Sequence, residues 1–181
     1  MRVLANQLPA SRTIATEVDH FFGFPVSYLG SAPGNQFIAT VDFGGVGTGL
    51  GVTIGPSIAE PDKLTVAFVV DGGLMMTLGD LDTALRESKT MLIVVMNDSS
   101  YGSQLHMLRE WKHDVSAAVF PFVSFEVIGT ELVLRSASVL SIDDLPKALA
   151  TLPDVQSDPL FIDCKITTHV VADWLSGAFD H

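Results

Sequence analysis

Two short polar stretches each follow an apolar run: Val69-Val70-Asp71-Gly72-Gly73, and Val95-Met96-Asn97-Asp98-Ser99-Ser100-Tyr101-Gly102. Runs that stay apolar without alternating are the mark of central strands buried on both faces. Asp71 and the Asn97-Asp98 pair are therefore expected at the carboxyl ends of strands, where doubly wound sheets bind their ligands. Gly72 and Gly73 open an expected helix and bring unpaired backbone N–H groups and a positive helix end to the same place. Carboxylate and carbonyl oxygens beside such an end suit Mg²⁺, a hard octahedral cation that commonly shares its coordination sphere with phosphates. The same residues fit equally well an N-capping aspartate and an ordinary polar turn, and local chemistry does not choose between them.

The elements that must position these residues show as short β-branched runs alternating with segments of helical period. The pattern predicts an α/β fold, a doubly wound, mainly parallel six-stranded sheet with helices on both faces. Strands are expected at 13–17, 37–41, 64–70, 91–96, 132–135 and 160–166, and helices at 46–59, 74–88, 102–111, 122–128, 142–149 and 170–175. The stretches 31–35, 59–63 and 153–159 read as turns within a single domain, 1–181. Gly44, Gly45, Gly47, Gly49, Gly51 and Gly55 weaken the helix expected there by up to ~1 kcal/mol each, which implies close approach of the backbone to something.

Composition narrows the function. Only 17% of the 181 residues are charged, against roughly 25% in an average soluble domain, which suggests apolar surface kept for a partner. A formal charge of -11 argues against nucleic acid, whose phosphates need basic residues. No apolar run approaches the roughly 20 residues of a membrane span, and the N-terminus lacks the apolar core of a secretory signal. The single cysteine, Cys164, forms no internal disulfide and reads as inert packing, so the expected compartment is the cytoplasm. His113, His169 and His181 lack zinc-ligand spacing. Ser99 and Ser100 lie in no nucleophile elbow. The glycines at 44–49 lack a P-loop ending, and nicotinamide binding is a weak third option for want of a ribose-binding acid downstream.

Asp71-Gly72, then 24 residues, then Asn97-Asp98 with Tyr101-Gly102 beyond, resembles the thiamine diphosphate motif of the acetolactate synthase and 2-oxoacid decarboxylase superfamily. Segments 42–47, 54–62 and 74–84 extend the likeness along most of the chain. The resemblance implies the C-terminal, diphosphate-binding (PP) domain of such an enzyme. Asp71, Asp98 and the main-chain carbonyl of Ser100 would be the Mg²⁺ ligands, and Asn97 would brace their loop, with Tyr101 and Gly102 completing the motif. The backbone of Gly72 and Gly73 would meet the diphosphate, and His20 would be a candidate donor to it. Gly44 would offer its carbonyl to the aminopyrimidine, and Val46 would wedge the cofactor into its bent form.

The cofactor would serve as an electron sink for cleaving or forming a C–C bond of a small 2-oxoacid. The activating glutamate belongs to a pyrimidine-binding domain that is absent here, so the resemblance implies half an active site and a homo- or hetero-oligomer. The alternative is a catalytically inactive module that keeps the fold for binding or regulation. Two positions depart from the pattern. Val70 stands for the first glycine of the motif, and Asp19 stands where many relatives have glycine beside the diphosphate. A like charge 4 Å away at an effective dielectric of 20 opposes binding by ~4 kcal/mol, so Asp19 is expected to turn toward solvent, with affinity reduced but not lost. His106, Arg109, Glu110 and Trp111 read as a solvated helix with Trp111 packed beneath. Met75, Met76 and Met107 read as packing.

Overall fold

The structure, a computed structural model, describes residues 1–30, 36–88, 90–150, 152 and 158–176. The expected turn at 31–35, most of that at 153–159, and His181 lie outside the described residues. Six strands, β1 (Arg12–Thr16), β2 (Gln36–Ala39), β3 (Leu64–Val70), β4 (Met91–Asn97), β5 (Arg135–Val139) and β6 (Leu160–Lys165), form one parallel sheet in the order β2-β1-β3-β4-β6-β5. The chain passes from β1 outward to β2, then returns to lay β3 on the other side of β1. The order thus reverses between β1 and β3, and a crevice is expected outside the carboxyl ends of those two strands.

Helices α1 (Arg2–Gln7), α2 (Gly23–Leu29), α3 (Gly49–Ala59), α4 (Asp71–Met76), α5 (Asp80–Glu87), α6 (Gly102–Glu110), α7 (Phe125–Glu131), α8 (Leu145–Leu149) and α9 (Asp173–Ser176) accompany the sheet. Alternate residues of β3 serve two cores. Leu64, Val66, Phe68 and Val70 pack with Leu4, Phe21, Leu29 and Leu145, whereas Ala67 and Val69 pack with Leu50, Ile54, Leu81 and Phe125. Every β3 residue is therefore buried, which is why its sequence shows no polar alternation.

Several boundaries differ from those expected. The single helix 74–88 is two, α4 and α5, joined through Thr77, Leu78 and Gly79. Expected helix 46–59 begins only at Gly49, because Gly44 and Gly47 take positive φ (66° and 89°) and hold the preceding residues in a loop. Strand 132–135 is displaced to β5: Val133 is left-handed (φ 65°) and Leu134 N–H donates to Gly129 O at 2.8 Å, so these residues terminate α7 instead. That helix starts at Phe125, not at 122, where the Asp163 carboxylate accepts from the Phe125 and Glu126 N–H groups. Helix 142–149 shortens to α8 because Ser141 to Asp144 forms a turn closed by the Asp144 carboxylate. Helix 170–175 reduces to α9. Neither α1 nor α2 was expected; Gly23 and Pro25 both sit in the first turn of α2, where proline lacks no helical partner.

Candidate functional site

Strand β3 delivers Asp71 to the edge of the crevice, 1% exposed. Its Oδ1 accepts from Gly72 N–H at 2.8 Å and its Oδ2 from Ser99 N–H at 2.7 Å, so one carboxylate ties the β3 turn to the loop after β4. Ser99 is left-handed (φ 57°), so the loop reverses tightly directly after Asp98. Asp98 Oδ1 accepts from Ser100 N–H at 3.0 Å and Ser100 Oγ at 2.8 Å. Its Oδ2 is buried with no hydrogen-bond partner. Asn97 donates through Nδ2 to Val123 O and to Asp163 Oδ1, each at 2.9 Å, and so anchors the start of the loop.

Burial, followed by the charge of Asp98, pushes the Asp71 carboxyl up to about 7; burial likewise raises Asp98. Two buried carboxylates that oppose each other's ionisation, one with an oxygen that accepts no hydrogen bond, form a hard oxygen donor set suited to a cation. Among the described residues no cluster of three or more His, Cys, Asp or Glu side chains is set to hold a metal. A cation here would use both aspartates, a main-chain oxygen such as that of Ser100, and oxygens of a ligand, which is the coordination habit of Mg²⁺. The residues present fit such an ion.

His20 and Asp19 complete the wall, and Asp19 overturns an expectation. It does not turn to solvent: it is 8% exposed, and its Oδ1 accepts from the N–H groups of His20 and of Ser103, the latter at 2.6 Å in the first turn of α6. Burial raises its pKa, but the hydrogen bonds from His20 and Ser103 outweigh that and hold it below the usual carboxylate range. The carboxylate is drawn inward because the amino end of α6 offers it donors and a favourable dipole. His20 lies with Nε2 3.7 Å from Asp98 Oδ2. Burial lowers its pKa, and Asp19, Asp98 and Asp71 more than reverse this.

Several glycines are explained by neighbours within the chain, whereas a Cβ on Gly44 or Gly55 would meet nothing within 4 Å. A Cβ on Gly102 would run into the His20 ring, and one on Gly72 would lie 2.6 Å from Tyr101 Cε1. The loop of Gly44 and Val46 leans on α4, where a Cβ on Gly47 would stand 3.3 Å from Gly73 O, and Val46 packs onto the core. The structure thus gathers His20, Asp71, Gly72, Gly73, Asn97, Asp98, Ser100, Tyr101 and Gly102 at one crevice, with the Gly44–Val46 loop beside Gly73. Beyond Gly72 an apolar cleft of about 410 Å³ runs between Met75, Tyr101, Val119, Phe120 and Val123.

Other expectations change. His106 is 4% exposed and rests edge-on against His20, so α6 is not solvated on that side. Trp111 is 47% exposed instead of packed beneath the helix, whereas Met75 and Met76 are exposed, which leaves an interface and not the core as the place where they would pack. Burial pushes the Cys164 thiol up to about 12, in line with inert packing. The sequence assigns no separate role to Glu17, although an acid at the end of the expected strand 13–17, next to Asp19 and His20, was a usable signal.

Comparison with known proteins gives consistent matches. The family profile described as thiamine pyrophosphate enzyme, C-terminal TPP binding domain, matches residues 23–164. Sulfoacetaldehyde acetyltransferase from Alcaligenes xylosoxydans xylosoxydans is 26% identical over 157 residues, 86% of this chain and 26% of that protein. An alpha-keto-acid decarboxylase from Mycobacterium tuberculosis is 31% identical over 55% of this chain and 18% of its own length. The large subunit of acetolactate synthase isozyme 2 from Escherichia coli is 25% identical over 62% of this chain and 20% of its own length. The chain therefore spans about a quarter or less of these relatives. Two solved structures share the fold: a thiamin diphosphate-dependent enzyme from Mycobacterium smegmatis (TM-score 0.75, 23% identity, 92% of this chain and 30% of that one) and 4-hydroxybenzoylformate decarboxylase from Rhodococcus jostii (TM-score 0.78, 18% identity, 92% and 31%).

Proposed function

We propose that this chain, which belongs to the family of thiamine pyrophosphate enzyme C-terminal TPP binding domains, holds thiamine diphosphate through Mg²⁺ as one portion of an acetolactate-synthase-like or 2-oxoacid-decarboxylase-like enzyme. The observation that carries this reading is the buried Asp71–Asp98 pair with its orphaned Oδ2. Asp71, Asp98 and the Ser100 carbonyl would hold the cation. Gly72, Gly73, Tyr101 and Gly102 would line the diphosphate, with His20 as a donor. Gly44 and Val46 would meet the pyrimidine side, and Asn97 keeps the metal loop in register through Val123 and Asp163. The bound cofactor supplies an electron sink for the carbanion chemistry of a small 2-oxoacid.

The activating glutamate would come from a pyrimidine-binding domain or subunit, consistent with the fraction of its relatives that this chain spans. Exposed Phe43, Met75 and Met76 offer apolar surface for such a partner in a homo- or hetero-oligomer. No helix among the described residues is long and apolar enough to cross a membrane, and we place the assembly in the cytoplasm.

One observation favours a second reading, a module that has kept the fold without turnover: the Asp19 carboxylate already occupies donors at the amino end of α6. Calorimetry with thiamine diphosphate, with and without Mg²⁺, tests the binding proposal. Mg²⁺-dependent binding in the wild type and none in a folded Asp71→Ala variant is expected; a wild type that binds nothing refutes it. Mixing the loaded chain with a pyrimidine-binding partner and assaying 2-oxoacid decarboxylation then separates enzyme from silent module.

A further inference from the structure

Glu17, directly after β1, lies on the crevice side of the strand-order reversal and takes no part in the donor set above. It is 1% exposed. Burial raises its pKa, and main-chain donors work against that rise: Oε2 accepts from Val70 N–H at 3.0 Å, Oε1 accepts from Gly47 N–H, and the N–H groups of Thr48 and Gly49 at the start of α3 also favour its charge. These donors belong to three separate pieces of the site. Val70 immediately precedes Asp71, Gly47 belongs to the loop carrying Gly44 and Val46, and Gly49 opens an eleven-residue helix.

Two further glycines are shaped around this side chain. A Cβ on Gly49 would lie 2.9 Å from Glu17 Cβ, and one on Gly73 would lie 2.7 Å from Glu17 Oε1. Burying a carboxylate without partners is prohibitive, so its geometry and that of its donors constrain each other. Glu17 pins loops whose own sequence, rich in glycine, would not hold them.

We infer that Glu17 is a positioning residue whose buried carboxylate clamps the Gly44–Thr48 loop and the Val70–Gly73 turn into one preformed cradle. The clamp exists without any ligand; its consequence for cofactor affinity rests on the function proposed above. An amide at this position would set its own N–H₂ against main-chain N–H groups and release at least one of them.

The test is amide hydrogen exchange on the full chain, free of cofactor, for wild type, Glu17→Gln and Glu17→Asp. In Glu17→Gln the Gly47 and Val70 amides should exchange about tenfold faster or more, while Ile93 and Val94 in β4 stay protected. Glu17→Asp keeps the charge and should restore part of that protection, and it serves as the readout if Glu17→Gln does not fold. Unchanged exchange at Gly47 and Val70 overturns the inference, as does equal loss of protection in β4, which would make the role merely structural. Titration with thiamine diphosphate and Mg²⁺ follows. A wild type that binds nothing sinks the proposed function but leaves the clamp standing, whereas a loosened Glu17→Gln that binds as tightly as wild type sinks the positioning role.

Discussion

Two buried carboxylate centres stand at the carboxyl ends of neighbouring strands, and they are built on opposite principles. At the end of β6, Asp163 is 0% exposed and its oxygens are covered: Asn97 Nδ2 on Oδ1, and Phe125 N–H and Lys165 Nζ on Oδ2, the last at 2.6 Å. At the ends of β3 and β4, the carboxylates of Asp71 and Asp98 are also buried, yet the charge of Asp98 opposes that of Asp71, and one oxygen has no hydrogen-bond donor, only the His20 ring 3.7 Å away. Burial and residue type are alike in the two places. What differs is completeness, and an incomplete buried centre is where a ligand has something to contribute.

The sharpest way to break this contrast is to remove a carboxylate from each centre. Asp163→Ala should lose ~3–5 kcal/mol in urea unfolding, because it strands Lys165 and uncaps α7. Asp71→Asn should lose far less without Mg²⁺, since relief of the repulsion with Asp98 offsets the one main-chain N–H, of Gly72 or Ser99, that its amide releases, while Mg²⁺-dependent cofactor binding is lost. Equal losses of stability from both substitutions would erase the distinction.

A pH titration is next in size. Asp71 is raised from 3.8 to about 7 in the folded chain, so between these values the folded state holds more protons than the unfolded one. Its contribution is therefore full below the lower value and is lost as pH rises through about 7. Thermal melts of the metal-free protein should show wild type losing stability relative to Asp71→Asn across this range, with Mg²⁺ reversing the loss. Parallel curves would deny the coupling.

Smaller again is the effect of Asp19. Asparagine still caps α6 but removes a negative charge beside the crevice. Asp19→Asn should thus tighten thiamine diphosphate binding by about tenfold, or roughly 1.4 kcal/mol, with little change in melting temperature. Unaltered affinity in calorimetry would show that the inward carboxylate lies clear of the ligand.

The apolar runs made β3 and β4 readable to within a residue, and with them the positions of Asp71, Asn97 and Asp98, because strands buried on both faces carry their signal locally. Contacts across the sheet left no such trace. Glu17 bonds to residues 30 and 53 positions away, and Asp19 reaches Ser103 across 84. Neither the clamp nor the inward turn of Asp19 can be inferred from nearest neighbours. The displaced β5 was obscured for another reason: the β-branched and apolar stretch at its expected start is consumed in ending α7.

The fit between Gly102 and the His20 ring has an evolutionary corollary. Two positions 82 apart share one small volume, so neither can gain bulk unless the other gives it up. Across homologous chains they should trade size in concert: an alanine or serine at the first should accompany a slimmer residue at the second. A lineage carrying bulk at both must have moved the loop after β1 away from α6, and with it the whole approach to the loop after β4.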